Sequence, residues 1–122
     1  MSIGHDYRRS MIRTMAQIPV KESDLREWVR DLSRLLGYKF YFSWTSLHSP
    51  RGFPDLVLVS VEQKRVIYTE LKTEKGQPSD KQVEWLDALF EAGQEVYLWR
   101  PHDIEGIAGI MRRSPEQRVK TW

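Results

Sequence analysis

Two apolar runs, "DLVLVSV" at 55–61 and "RVIYTEL" at 65–71, are separated only by "EQK". Neither alternates strictly between apolar and polar residues, so each reads as a strand buried on both faces. Joined by so short a turn they form a hairpin, and a hairpin apolar on both faces needs a sheet with helices packed against each side. Much of the remaining chain has to supply those helices.

Leu25, Trp28, Val29, Leu32, Leu35 and Leu36 recur three or four residues apart from Glu22 onward, and Gly37 supplies a stop. This spacing predicts an amphipathic helix over 22–36. "YKFYFSW" follows as a strand, and "TSLHSPRGF" as a polar loop leading into the hairpin. After the hairpin, "KTEKGQP" is a charged, turn-rich loop. Ser79 with Gln82 three residues later spells a capping box, and Val83, Leu86, Leu89 and Phe90 form the buried stripe of a second helix that Gly93 ends. "EVYLWR" is a fourth strand, and "DIEGIAGIMRR" a short last helix weakened by two glycines. The expected fold is therefore an α/β (α+β) single domain, in the order αβββαβ with the C-terminal helix added, whose mixed sheet is flanked by helices. Residues 1–20, with Arg8, Arg9 and Arg13, read as a basic arm, 21–113 as the folded domain, and 114–122 as a loose polar tail.

With 122 residues the chain suits one core. Lys and Arg number 19 against 17 Asp and Glu, so the formal charge of +2 does not by itself demand a polyanionic partner. No apolar run approaches the roughly 20 residues that cross a bilayer, and the first residues lack the apolar core of a signal peptide, which points to the cytoplasm and to no membrane partner. The absence of Cys excludes disulfides, thiolate zinc sites and cysteine nucleophiles. His5, His48 and His102 have no ligand-like spacing.

What stands out is charge at one end of the buried hairpin. Asp55 opens the first strand after Pro54, and Glu70 and Lys72 close the second on a shared face with Val66 and Tyr68. Pairing about Gln63 would set Glu70 opposite Leu56, within one residue of Asp55. Two carboxylates so placed repel unless a hard cation neutralises them. Glu22 precedes the buried stripe of the first helix in register and belongs near the same sheet end, although an acid in a first turn also simply favours the helix dipole. Taken singly, a turn-capping Asp and a charged strand end are ordinary features.

Asp55 with Glu70-Leu71-Lys72, preceded by a helical Glu22, resembles the PD-(D/E)XK nuclease superfamily. "GFPDLVLV", "ELKTEKG", "S-x-x-Q-x-x-W" and "G-x-x-V-Y-x-W", in that order, are similar to the small stand-alone VRR-NUC branch found in phages and bacteria, over about residues 21 to 105. "VYLWRP" departs from the element that names the branch. The resemblance implies a restriction-endonuclease-like fold in which Asp55, Glu70 and the Leu71 carbonyl hold Mg²⁺, with Mn²⁺ able to substitute and Glu22 reaching the metal directly or through water. It implies that Lys72 orients or deprotonates the attacking water, that hydrolysis leaves a 5′-phosphate and a 3′-hydroxyl, and that the home is a bacterial cell or a phage-infected host.

Around this set, Arg51, Lys75, Gly76 and Ser79 lie in loops or at a helix start where ammonium, guanidinium and backbone N–H groups can meet phosphates. Gln82 can serve as a nearby contact, yet its place in the capping box already gives it a complete structural task. Lys81 reads as solvated charge and His48 as an ordinary loop residue. Trp28, Trp85 and Trp99 read as core aromatics, with stacking on a flipped base the sharper alternative, while Trp44 and Trp122 are less constrained.

The leading expectation is a divalent-metal-dependent endonuclease hydrolysing DNA. A small chain has little room for its own specificity domain, and stand-alone relatives resemble Holliday-junction resolvases acting as homodimers, since two symmetric cuts suit two symmetric sites. Flap, nick or non-specific cleavage by the same fold is the alternative. A non-catalytic DNA-binding module gains nothing from carboxylates facing phosphate, and a protein-interaction domain would leave "ELK" as surface charge.

Overall fold

The computed structural model describes residues 21–43 and 51–122. Arg8, Arg9, Arg13, Trp44 and His48, singled out from sequence, lie outside the described residues. The fold is a small α+β domain: helix α1 (Glu22–Leu36), strands β1 (Lys39–Phe42), β2 (Leu56–Ser60) and β3 (Arg65–Leu71), helix α2 (Asp80–Glu91), strand β4 (Glu95–Trp99), a 3₁₀ turn at Pro101–Asp103 and helix α3 (Ile104–Arg112). The strands form one mixed sheet in the order β1-β2-β3-β4, antiparallel except for the β3–β4 pair. The α2 crossover makes that parallel pair feasible.

Helix α1 is the expected one. Leu25, Trp28, Val29 and Leu32 are fully buried, and each such burial contributes about 1.5–3 kcal/mol. Gly37 ends the helix at φ 79°, where the next N–H returns from Tyr38 to the Ser33 carbonyl at 2.8 Å. The stripe packs with Leu56, Leu58, Ile67 and Leu71 of the sheet and with Ile104, Ile107 and Met111 of α3. In α3 the two glycines, Gly106 and Gly109, fall on the exposed side while the apolar residues face inward, so the helix forms despite them. Helix α2 covers the other face, where Leu86 packs with Val96, Leu98 and Tyr68.

The hairpin register departs by one residue from the expected one: Leu56 pairs with Thr69, which sets Asp55 beside Glu70. The reason is a turn of four residues, Val61 to Lys64, in place of three. Lys64 adopts a left-handed φ of 53°, its N–H bonds to the Val61 carbonyl at 3.2 Å, and the Gln63 N–H bonds to Ser60 Oγ at 3.1 Å.

The end of the polar tail docks on β4 and α2. Thr121 Oγ1 accepts from Leu98 N–H at 2.7 Å and donates to its carbonyl at 3.1 Å, serving the strand edge as a neighbouring strand would. Trp122 packs edge-on against Phe90 and donates from Nε1 to Asp87 at 2.8 Å. Among the described residues no helix is long and apolar enough to cross a membrane.

Candidate active site

Strand β3 carries a buried charge at each end, and the two are treated in opposite ways. At its start Arg65 is only 7% exposed. Its guanidinium donates to both Glu95 carboxyl oxygens at 2.7 and 2.5 Å, to the Tyr38 hydroxyl at 2.9 Å and to Gln63 Oε1 at 3.0 Å. This is a satisfied structural network. At its end Glu70 is fully buried, and among the described residues its carboxyl oxygens have no hydrogen-bond partner other than the neighbouring Asp55 carboxyl group. A carboxylate buried in this way is costly, so the group keeps its proton unless a cation neutralises it.

The surroundings of Glu70 sharpen the point. Burial pushes its pKa up to about 10, reinforced by sharing and repulsion with the Asp55 carboxylate and, more weakly, by Glu22, against the attraction of Lys72. Glu22 is half-buried at the first turn of α1, and its pKa is raised by burial and then by the charge of Asp55, with Lys72 again opposing. The chain thus brings Glu22, Asp55, Glu70 and Lys72 to one end of the sheet.

Backbone contacts hold this cluster. Asp55 Oδ2 accepts the Leu71 N–H at 3.0 Å, which ties the start of β2 to the Glu70-Leu71-Lys72 segment. The Asp55 carbonyl accepts from Ser43 N–H at 2.8 Å, and Lys72 N–H donates to the Trp99 carbonyl at 3.0 Å, so both neighbouring strands anchor the rim. With its proton displaced, Glu70 beside the Asp55 carboxylate offers the hard anionic oxygen set that Mg²⁺ or Mn²⁺ prefers. A divalent cation therefore fits these residues. Among the described residues, however, no three His, Cys, Asp or Glu side chains are grouped tightly enough to hold a metal by themselves.

Other predicted residues divide. Ser79 and Gln82 are committed to capping α2: the Gln82 N–H donates to Ser79 Oγ at 3.2 Å and Gln82 Oε1 accepts from Ser79 N–H at 2.8 Å. Any substrate contact by Gln82 falls to its NH₂. Gly76 sits in a tight loop, where an added Cβ would lie 2.9 Å from Thr73 Oγ1 and 3.6 Å from Lys72 Cδ. The constraint on Gly76 thus comes from the Thr73 side chain, with Lys72 at ordinary contact distance. Lys75 is exposed on the same loop. Arg51 is exposed in the segment leading to Asp55 and stands beside α2 with Lys81, Glu84 and Trp85. Trp28 and Trp99 are core residues, as expected, whereas Trp85, expected with them, is half-buried at the surface of α2.

Sequence reasoning missed Arg100. Its Nη1 donates to the carbonyls of Thr73 at 2.7 Å, Glu74 at 3.2 Å and Gly76 at 2.6 Å, pinning the loop that follows Lys72. Glu74 in turn accepts from the His102 backbone N–H and bonds its Nδ1, both at 2.6 Å. The available signal was an Arg-Pro at the end of the strand parallel to the Glu-Leu-Lys strand, which places a long cation at the same sheet end.

Comparison with protein families gives a match to the VRR-NUC domain over residues 6–102. That span begins within the basic arm and includes all four residues of the charged cluster. Comparison with curated proteins and with solved structures gives no match. With the family match covering most of its length, the chain belongs to the VRR-NUC domain family, a family of PD-(D/E)XK-like nucleases acting on DNA.

Proposed function

We propose that the protein is a divalent-metal-dependent endodeoxyribonuclease whose centre is Asp55, Glu70, Lys72 and Glu22, and that its substrate is branched DNA of the four-way-junction kind. The observation that carries the metal reading is the buried Glu70 carboxyl group, whose hydrogen-bonding partner among the described residues is another acid, Asp55. Asp55, Glu70 and the Leu71 carbonyl would hold Mg²⁺, or Mn²⁺ in its place, with Glu22 reaching it through water. Such a cation supplies a coordinated water of lowered pKa and offsets charge on the scissile phosphate.

The chain's own groups do the rest. Lys72, half-buried at the end of β3, presents an ammonium group beside the carboxylates. It holds a water for attack on phosphorus and compensates the charge that develops on the phosphate oxygens. The clamp from Arg100 fixes the loop after Lys72, so the ammonium does not have to be ordered anew for each turnover. The P–O3′ bond breaks as the water oxygen bonds to phosphorus, leaving a 5′-phosphate and a 3′-hydroxyl.

The branched-DNA reading rests on the resemblance to stand-alone resolvases and on the lack of room for a separate specificity domain, and it entails a homodimer with two sites. Incubation of four-way junction, flap, nicked, single-stranded and linear duplex DNA with Mg²⁺ tests it. Paired, symmetric incision of the junction is expected. Faster cutting of flap or linear DNA would assign the site to flap processing or non-specific cleavage.

A further inference from the structure

A cavity of about 520 Å³ lies beside α2, lined by Arg51, Lys81, Glu84, Trp85 and Ala88. This volume is within the range that ligand pockets occupy. None of Glu22, Asp55, Glu70 and Lys72 lines it, so it is distinct from the carboxylate cluster. Lys81 with Trp85, and Glu84 with Ala88, are four residues apart and lie side by side along one side of α2, while Leu86 and Leu89 pack inward on another.

Trp85 is half-buried, and its ring is set in place by a column of edge-on aromatic contacts. Phe53 meets Trp85 at 5.1 Å and Tyr68 at 6.2 Å between centroids. Tyr68 shares its face of β3 with Glu70. The indole is thus a rigid wall coupled to the strand that carries the metal centre. The opposite margin is equally fixed. Gly52 adopts φ +95° and abuts the first turn of α2 so closely that a Cβ there would meet the Lys81 carbonyl at 2.5 Å. Arg51 is four residues from Asp55, at most about 14 Å along the chain.

The chemistry of the lining selects its occupant. A flat aromatic wall takes a flat π-system, and two cations on the rim take an anion. Lys81 and Glu84 form an exposed pair at 3.5 Å, of the kind worth little, so Lys81 can leave it for a phosphate. Glu84 disfavours a bare phosphate but accepts a hydrogen bond from the exocyclic amine of a base. We propose that this cavity is a subsite for one unpaired nucleotide near the scissile phosphate, its base stacked on Trp85 and its phosphate held by Arg51 and Lys81. A base within a duplex cannot enter, so the subsite favours DNA with an unpaired arm or an opened branch point. This inference rests on the nuclease reading above.

The test is fluorescence anisotropy in chelator with two labelled probes, a fully paired duplex and the same duplex bearing a single-stranded arm, alongside wild-type cleavage in Mn²⁺. Trp85→Ala should weaken binding of the armed probe roughly 5- to 150-fold and leave the paired duplex within about twofold. Ala88→Trp, which fills the cavity from an exposed position and spares the aromatic column, should do the same, and Trp85→Phe should retain most of the affinity. Equal losses on both probes, or an armed probe indifferent to Ala88→Trp, overturn the subsite while leaving the nuclease reading intact. A wild type that neither binds nor cuts either probe overturns both.

Discussion

The Asp55 carboxylate accepts the Leu71 backbone N–H at 3.0 Å, so the acid that opens β2 is fastened to the segment that closes β3. The contact gives Asp55 two tasks. One oxygen holds the sheet end together, and the charge on the group is available to a cation.

These tasks can be separated by substitution. Asp55→Asn keeps an acceptor oxygen for Leu71 and removes the charge, so DNA cleavage should be lost while unfolding free energy in chelator stays within about 1 kcal/mol of wild type or rises. Asp55→Ala leaves the Leu71 N–H without a partner and should cost a further 1–3 kcal/mol or so. Chemical denaturation of both variants reads the difference.

Glu70 predicts an unusual pH dependence. Its folded pKa is raised from 4.5 to about 10, so the folded protein keeps a proton that the unfolded chain has already lost. Stability of the metal-free protein should therefore fall as pH rises through that window, by at most about 1.4 kcal/mol per unit from this group. Glu70→Gln cannot ionise, and its advantage over wild type in chelator should widen from pH 5 to pH 8. Saturating Mn²⁺ should stabilise wild type and not the variant. Calorimetric melting across this range, with and without Mn²⁺, checks both signs.

Arg100 acts through the loop rather than on substrate. Arg100→Ala removes the donor from the Thr73, Glu74 and Gly76 carbonyls and should lower kcat about 10- to 100-fold with smaller change in KM. Amide exchange at Gly76, whose N–H donates to Thr73 Oγ1 at 3.1 Å, should accelerate in the variant. An unchanged exchange rate would detach Arg100 from this role.

The same loop carries a titrating contact. The hydrogen bond that the His102 ring donates to the Glu74 carboxylate raises the His102 pKa above its ordinary 6.5, and the same contact holds Glu74 below its ordinary 4.5. The His102 contribution is complete below 6.5 and is lost as pH rises through its raised value, and that of Glu74 is lost as pH falls below 4.5. Proton NMR of the His102 ring should give a titration above 6.5 that returns toward it in Glu74→Gln.

The sequence made most of this legible where one physical rule dominates. The buried stripe Leu25, Trp28, Val29 and Leu32 announces α1, and Ser79 with Gln82 announces α2, because periodicity and capping are local. The convergence of Asp55, Glu70 and Lys72 was also readable, since strand alternation and a short turn bring them together. The register was not: a left-handed Lys64 lengthens the turn, and nothing in "VEQK" announces it. Non-local contacts were least visible. Arg100 reaches a loop 24 to 27 residues earlier in the chain, and Thr121 completes the edge of β4 across 23 residues. Neither leaves a period to read.

The proposed hydrolytic metal centre consists of the buried Glu70, the half-buried Asp55 and Glu22, and Lys72. It is tested most directly by incubating labelled four-way junction and linear duplex DNA with wild type and Lys72→Ala, each in Mg²⁺, in Mn²⁺ and in chelator. Wild type should cleave with either metal and not in chelator, and Lys72→Ala should lose at least about 100-fold in rate while still being stabilised by Mn²⁺. Cleavage that persists in chelator, or in Lys72→Ala at the wild-type rate, would contradict the proposed centre.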